Sequence, residues 1–115
     1  MPTSVEVVPG LIAWAELDPA VGREQGGRRP ILVVASRGYL EVVDQLVLVL
    51  PITSIDRGWP NHVPLGGLPH PSFAMTEQVR TVSRSRIHGH LGVATSDELA
   101  AVRRWLGDFL DLPSA

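Results

Sequence analysis

A chain of 115 residues with no cysteine and a formal net charge of -2 is expected to form one domain without disulfides, thiolate nucleophiles or thiolate metal sites. It also lacks the basic excess usual in nucleic-acid binders, so any such site must be local. No stretch approaches the roughly 18 apolar residues of a membrane span, and Met1 to Glu6 has neither the basic start nor the apolar core of a signal peptide, so a cytoplasmic protein is expected.

The apolar share of 44% suffices for one core. Leu11 to Glu16 reads as a first strand. Gly22, Gly26 and Gly27 then break regular structure across a polar loop ending at Arg28-Arg29-Pro30. Ile31 to Ala35 and Leu46 to Leu50 are continuous apolar runs, as expected for strands buried on both faces of a small barrel. After Pro51 the chain turns polar through Thr53, Ser54, Asp56, Arg57 and Gly58, and a short strand follows near Asn61 to Leu65. Gly66 to Pro71 is a turn cluster. Phe73 to Val82 is expected as one strand with Met75, Glu77, Val79 and Thr81 on the same side, and Ile87 to Gly92 as the last. Thr95 and Glu98 form a capping box, and Leu99, Val102, Leu106 and Phe109 recur at helical spacing. A helix from about Ser96 to Leu110 is predicted, with Arg103, Arg104 and Asp108 on its wet side. The fold class is mainly β with a C-terminal α-helix.

Chemistry concentrates in Glu24-Gln25-Gly26-Gly27-Arg28-Arg29-Pro30, a glycine loop delivering a carboxylate and two arginines to the mouth of a central strand. By itself such a segment also fits a solvated hairpin loop. All ten basic residues are arginine, whose planar fork grips phosphate bidentately, although GC-rich codon usage produces the same bias. Trp59-Pro60 offers a ring for a splayed base or for packing on the barrel rim. His88 and His90 share a strand face without a third ligand, so no metal site is expected. Trp14 and Trp105 read as core or dimer-contact residues.

Leu17-Asp18-Pro19, Gly22 to Pro30, Val33-Val34, Pro51-Ile52-Thr53-Ser54 and Glu77-Gln78-Val79-Arg80-Thr81 together resemble, in order, the motifs of the MazF/PemK mRNA interferases, from about Gly10 to Leu112. The resemblance implies an SH3-like, CcdB-like barrel and a toxin that cuts single-stranded RNA with neither metal nor cofactor. It further implies a homodimer silenced by a small MazE-like antitoxin, touching DNA only through the antitoxin complex and not associating with membranes. Carried over residue by residue, Arg29 falls on the family's catalytic arginine and Thr53 on its catalytic threonine or serine. Glu24 and Glu77 fall on functionally implicated acids, and Gln78 and Arg80 lie near the RNA groove. Arg23, Arg28 and Trp59 are further candidates for RNA contact.

RNA brings its own nucleophile, the 2'-hydroxyl, so the protein must supply a proton acceptor, a donor to the leaving 5'-oxygen and fixed positive charge. Arginine is a poor base, so Arg29 is expected to stabilise charge, Thr53 to hold a non-bridging oxygen, and Glu24 or Glu77 to accept the proton. The products would be a 2',3'-cyclic phosphate and a 5'-hydroxyl. Pro9-Gly10-Leu11 stands where many members carry Arg-Gly-Asp or Arg-Gly-Glu, and Ser36 to Leu40 replaces an asparagine-containing loop, so substrate choice does not transfer. The competing reading is a non-catalytic CcdB-like barrel that poisons a topoisomerase or associates with DNA, which leaves the EQGGRRP segment without a role.

Overall fold

The structure is a computed structural model that describes residues 5–17 and 27–113. Among the described residues seven strands form one sheet: β1 (Leu11–Leu17), β2 (Gly27–Val33), β3 (Leu46–Thr53), β4 (His62–Pro64), β5 (Phe73–Met75), β6 (Arg80–Ser83) and β7 (Ile87–Val93). Helix α1 (Arg37–Val42) lies between β2 and β3, and α2 (Ser96–Phe109) follows β7. The strands run β4-β5-β3-β2-β1-β7, with β6 also paired to β3, in a barrel-like sheet that does not close on itself. All pairings are antiparallel.

The apolar runs are continuous because both faces of the central strands are buried. Leu11, Ala13, Ala15, Leu17, Ile31, Val33, Val47 and Val49 fill one core, which Val5, Val7, Val8, Tyr39 and Leu40 flank. Ile12, Leu32, Leu50 and Ile52 fill a second core on the opposite face, where Leu99, Val102, Trp105 and Leu106 of α2 pack. The predicted capping box at Thr95 and Glu98 is present, and α2 stops at Phe109, one residue short of the expectation. No helix among the described residues is long and apolar enough to cross a membrane.

Three elements differ from expectation, each through a proline or a cap. Arg28, Arg29 and Pro30 belong to β2 and not to the preceding loop, since Glu16, Ala15 and Trp14 of β1 pair with them. The Val34 N–H bonds Leu48 O, so even-numbered residues of β2 turn their amides toward β3. Pro30 has no N–H to offer there, and the β2–β3 ladder ends at Ile31↔Pro51. Beyond that rung β2 stays with β1 while β3 pairs with β5.

The expected strand Phe73 to Val82 is interrupted by a 3-10 turn at Thr76–Gln78. Ile52 pairs with Ala74 and Val49 with Arg80, so between these rungs two residues of β3 face five of the other line. The odd residues of β3 turn their backbone toward that line, as the bond from Arg84 N to Gln45 O shows for the same edge, and Pro51 again lacks a donor. The turn therefore bulges out where the ladder has nothing to bind. Met75 is buried while Glu77, Val79 and Thr81 are exposed, so these four do not share one side. Helix α1 was not anticipated. It is six residues long and capped by the Ser36 hydroxyl, which accepts from Tyr39 N.

Candidate active site

Strand register determines which side chains meet. Residues two apart along a strand share a face, and directly paired residues share it too. Arg29 pairs with Ala15 and stands two residues from Ile31, so it lies on the face of the first core. Thr53 stands on the same face, two residues beyond Pro51, which pairs with Ile31. Each stands two residues past Ile31↔Pro51, the last rung between β2 and β3. Their ladder has already ended, so the two flank the opening where β2 and β3 part.

Thr53 is 6% exposed. Its Oγ1 accepts a hydrogen bond from Ile55 N at 3.1 Å, fixing the rotamer as the chain leaves β3. Arg29 is partly buried. Arg80 pairs with Val49 and therefore points from the same face. Arg28 does not, for alternation places it on the opposite face, where its guanidinium lies 5.0 Å from the Trp14 ring. Arg23 and Glu24 lie outside the described residues, as do Asp18 and Pro19.

Glu77 and Gln78 sit on the 3-10 turn. The Glu77 carboxylate is gripped from β4 and the residue before it: His62 Nε2 lies 3.0 Å from both Oε1 and Oε2, and Asn61 Nδ2 donates to Oε1 at 2.9 Å. Asn61 also binds the buried Thr76, whose hydroxyl donates to Asn61 O at 2.7 Å and accepts from its Nδ2 at 3.3 Å. Burial pushes the Glu77 carboxyl upward, but the hydrogen bond from His62, its own backbone N–H, the charge of His62 and Gln78 together hold it below the usual carboxylate range. Gln78 Nε2 reaches the Met75 sulfur at 3.6 Å. Trp59 is 41% exposed. One neighbour of its ring is His62, at 4.8 Å between centroids, and another is the Arg57 guanidinium at 5.7 Å.

His62 and Asn61 escaped the sequence reading. Their contacts span 15 and 16 residues and exist only because β4 pairs with β5. A histidine in a three-residue strand carries no local signal of that. His88 meets Glu16 across 3.9 Å, and among the described residues no group of three or more His, Cys, Asp or Glu is placed to hold a metal ion. Trp14 and Trp105 are both partly buried, Trp105 against the second core.

Residues 9–110 match the model of the PemK-like, MazF-like toxin of type II toxin-antitoxin systems. The chain is 30% identical to the endoribonuclease toxin MazF of Escherichia coli over 95 residues, covering 82% of this chain and 85% of that protein. It is 32% identical to the endoribonuclease MazF9 of Mycobacterium tuberculosis over 112 residues, covering 90% and 95%. In structure it is similar to MazF from Deinococcus radiodurans, with a TM-score of 0.80, 35% identity and coverage of 92% and 97%. It is also similar to a chain of the MazE-MazF complex of that organism, with a TM-score of 0.76, 33% identity and coverage of 93% and 98%. With the family model spanning most of its length and both sheet and helix superposing on solved members, the chain belongs to the PemK-like, MazF-like toxins of type II toxin-antitoxin systems.

Proposed function

We propose that this protein is an endoribonuclease toxin that cleaves single-stranded RNA through attack of the substrate's own 2'-hydroxyl. The observation that carries the reading is the pairing register, which puts Arg29 and Thr53 on one face, each two residues past Ile31↔Pro51, the last rung before β2 and β3 part. A scissile phosphate seated there meets a guanidinium from one side and a hydroxyl from the other. Arg29 balances the charge that builds on the phosphorane and donates toward the leaving 5'-oxygen. Thr53 Oγ1 already accepts from Ile55 N, so its proton is directed to a non-bridging oxygen and holds the phosphate for in-line attack.

A carboxylate accepts the 2'-OH proton, Glu24 from the β1–β2 segment or Glu77 from the 3-10 turn. The ionised state of Glu77 suits an acceptor. Arg80, on the same face, and Arg23, Gln78 and Trp59 serve RNA binding, Trp59 by stacking its exposed ring on a base, whereas Arg28, expected among them, is turned to the opposite face against Trp14. The names of the relatives favour this reading over a non-catalytic CcdB-like barrel. By the same likeness the protein works in the cytoplasm as a homodimer restrained by a MazE-like antitoxin.

The test is cleavage of a long single-stranded transcript by purified protein in chelator, with the ends mapped. Fragments with 2',3'-cyclic phosphate and 5'-hydroxyl ends are expected, and Arg29→Ala should slow cleavage by about 100- to 1,000-fold. Intact RNA at high enzyme concentration would refute the assignment.

A further inference from the structure

His62 is the most deeply buried ionisable side chain near the proposed site, with 3% of its side chain exposed. Its Nε2 lies 3.0 Å from each oxygen of Glu77. Carboxylate oxygens only accept, so Nε2 carries the hydrogen. Its other nitrogen, Nδ1, is buried with no hydrogen-bond partner. An unpartnered buried ring nitrogen is costly, and a protein tolerates it where the remaining nitrogen does something specific. The ring is held in place by its tilted contact with the Trp59 ring and by the pairing of His62 with Met75. Two strand spacings, about 10 Å, separate β4 from β3, so a buried imidazole there does not reach a phosphate beside Thr53. Whatever it contributes passes through Glu77.

We infer that His62 is a positioning residue: in contact with Trp59, it clamps the Glu77 carboxylate in one orientation for RNA lying across the Arg29 and Thr53 face. The inference rests on the proposed role of Glu77 in RNA cleavage. The remaining neighbours are accounted for. Asn61 is uncharged, Arg57 faces Trp59, and Glu98 of α2 is engaged by Gly66 N and Thr95 N. Among the described residues, His62 is the one whose charge is seen to act on Glu77.

The test is the pH dependence of kcat/KM on a single-stranded RNA oligonucleotide, which reports groups of the free enzyme. In the wild-type protein the acid limb set by Glu77 should lie below the ordinary carboxylate range. In His62→Leu burial acts with less opposition, and the limb should climb by about one pH unit, a loss that approaches about tenfold at pH values below both limbs. His62→Gln returns an N–H to the carboxylate and should bring the limb back. Glu77→Gln should lower the plateau and remove the limb. If Glu77→Gln cleaves like the wild type, the role of Glu77 is overturned. If Glu77→Gln is impaired but the limb of His62→Leu does not move, the role of His62 alone is overturned. Should His62→Leu fail to fold, nitrogen NMR of the wild-type imidazole decides the point, because a hydrogen on Nδ1 with Nε2 bare contradicts the clamp.

Discussion

At Thr53 one oxygen serves two ends. It accepts from Ile55 N, ordering the exit from β3, and it stands on the face shared with Arg29. Thr53→Val keeps the β-branched shape and removes the oxygen. The expected outcome is a loss of about 100-fold or more in single-turnover cleavage together with about 1 kcal/mol in urea unfolding, while Thr53→Ser restores both. Glu77 links a side chain to the pH dependence of stability. Its folded-state affinity for protons lies below the unfolded reference of 4.5. The stabilisation is therefore complete above that reference and disappears as pH falls through the folded value. Glu77→Gln should lower the urea midpoint at neutral pH, and the difference from the wild type should shrink as pH falls through the lowered folded-state value and the wild-type carboxyl takes up its proton.

At the scale of elements, two prolines shape the site by withholding donors. Pro30 ends the β2–β3 ladder, and Pro51 lies where the β5–β6 line swings out as the turn bearing Glu77. Pro30→Ala would supply an N–H facing β3 and let the ladder run on toward Ile52, drawing Arg29 and Thr53 out of register with a phosphate. Cleavage should fall by about 100-fold without loss of stability, and slow hydrogen exchange at the new amide should accompany it. These breaks were not legible from apolar pattern. Phe73 to Val82 looks like one strand because the reason it stops is a proline on another strand. The opposite holds for α2, whose Thr95 and Glu98 cap and apolar spacing are local, and its limits were legible to within a residue. Between these cases lies α1, where only Ser36 marks a start and six residues are too few for periodicity.

Taken whole, the molecule has a formal charge of -2, yet the register gathers Arg29 and Arg80 onto one face of the sheet. Attraction for RNA is then a local field, and its salt dependence should be shallow. For an uncleavable oligonucleotide with a 2'-deoxy sugar at the cut site, each lost phosphate contact should reduce the slope of log K against log salt by about 0.7. Arg80→Ala is expected to produce one such decrement. A change of several times that size would mean that the arginine organises the face instead of binding a single phosphate.

Local order in the chain was sufficient for the mainly β class, the two doubly buried central strands and the capped terminal helix. Each of these depends on near neighbours, through apolar runs, caps and short motifs. Only the tertiary structure decided that Arg29 and Arg28 point to opposite faces, that Arg29 and Thr53 share a face just past the last β2–β3 rung, and that His62 and Asn61 hold Glu77. Those facts follow from strand pairing between distant residues, where a shift of one position reverses every side chain, and no local pattern encodes that register.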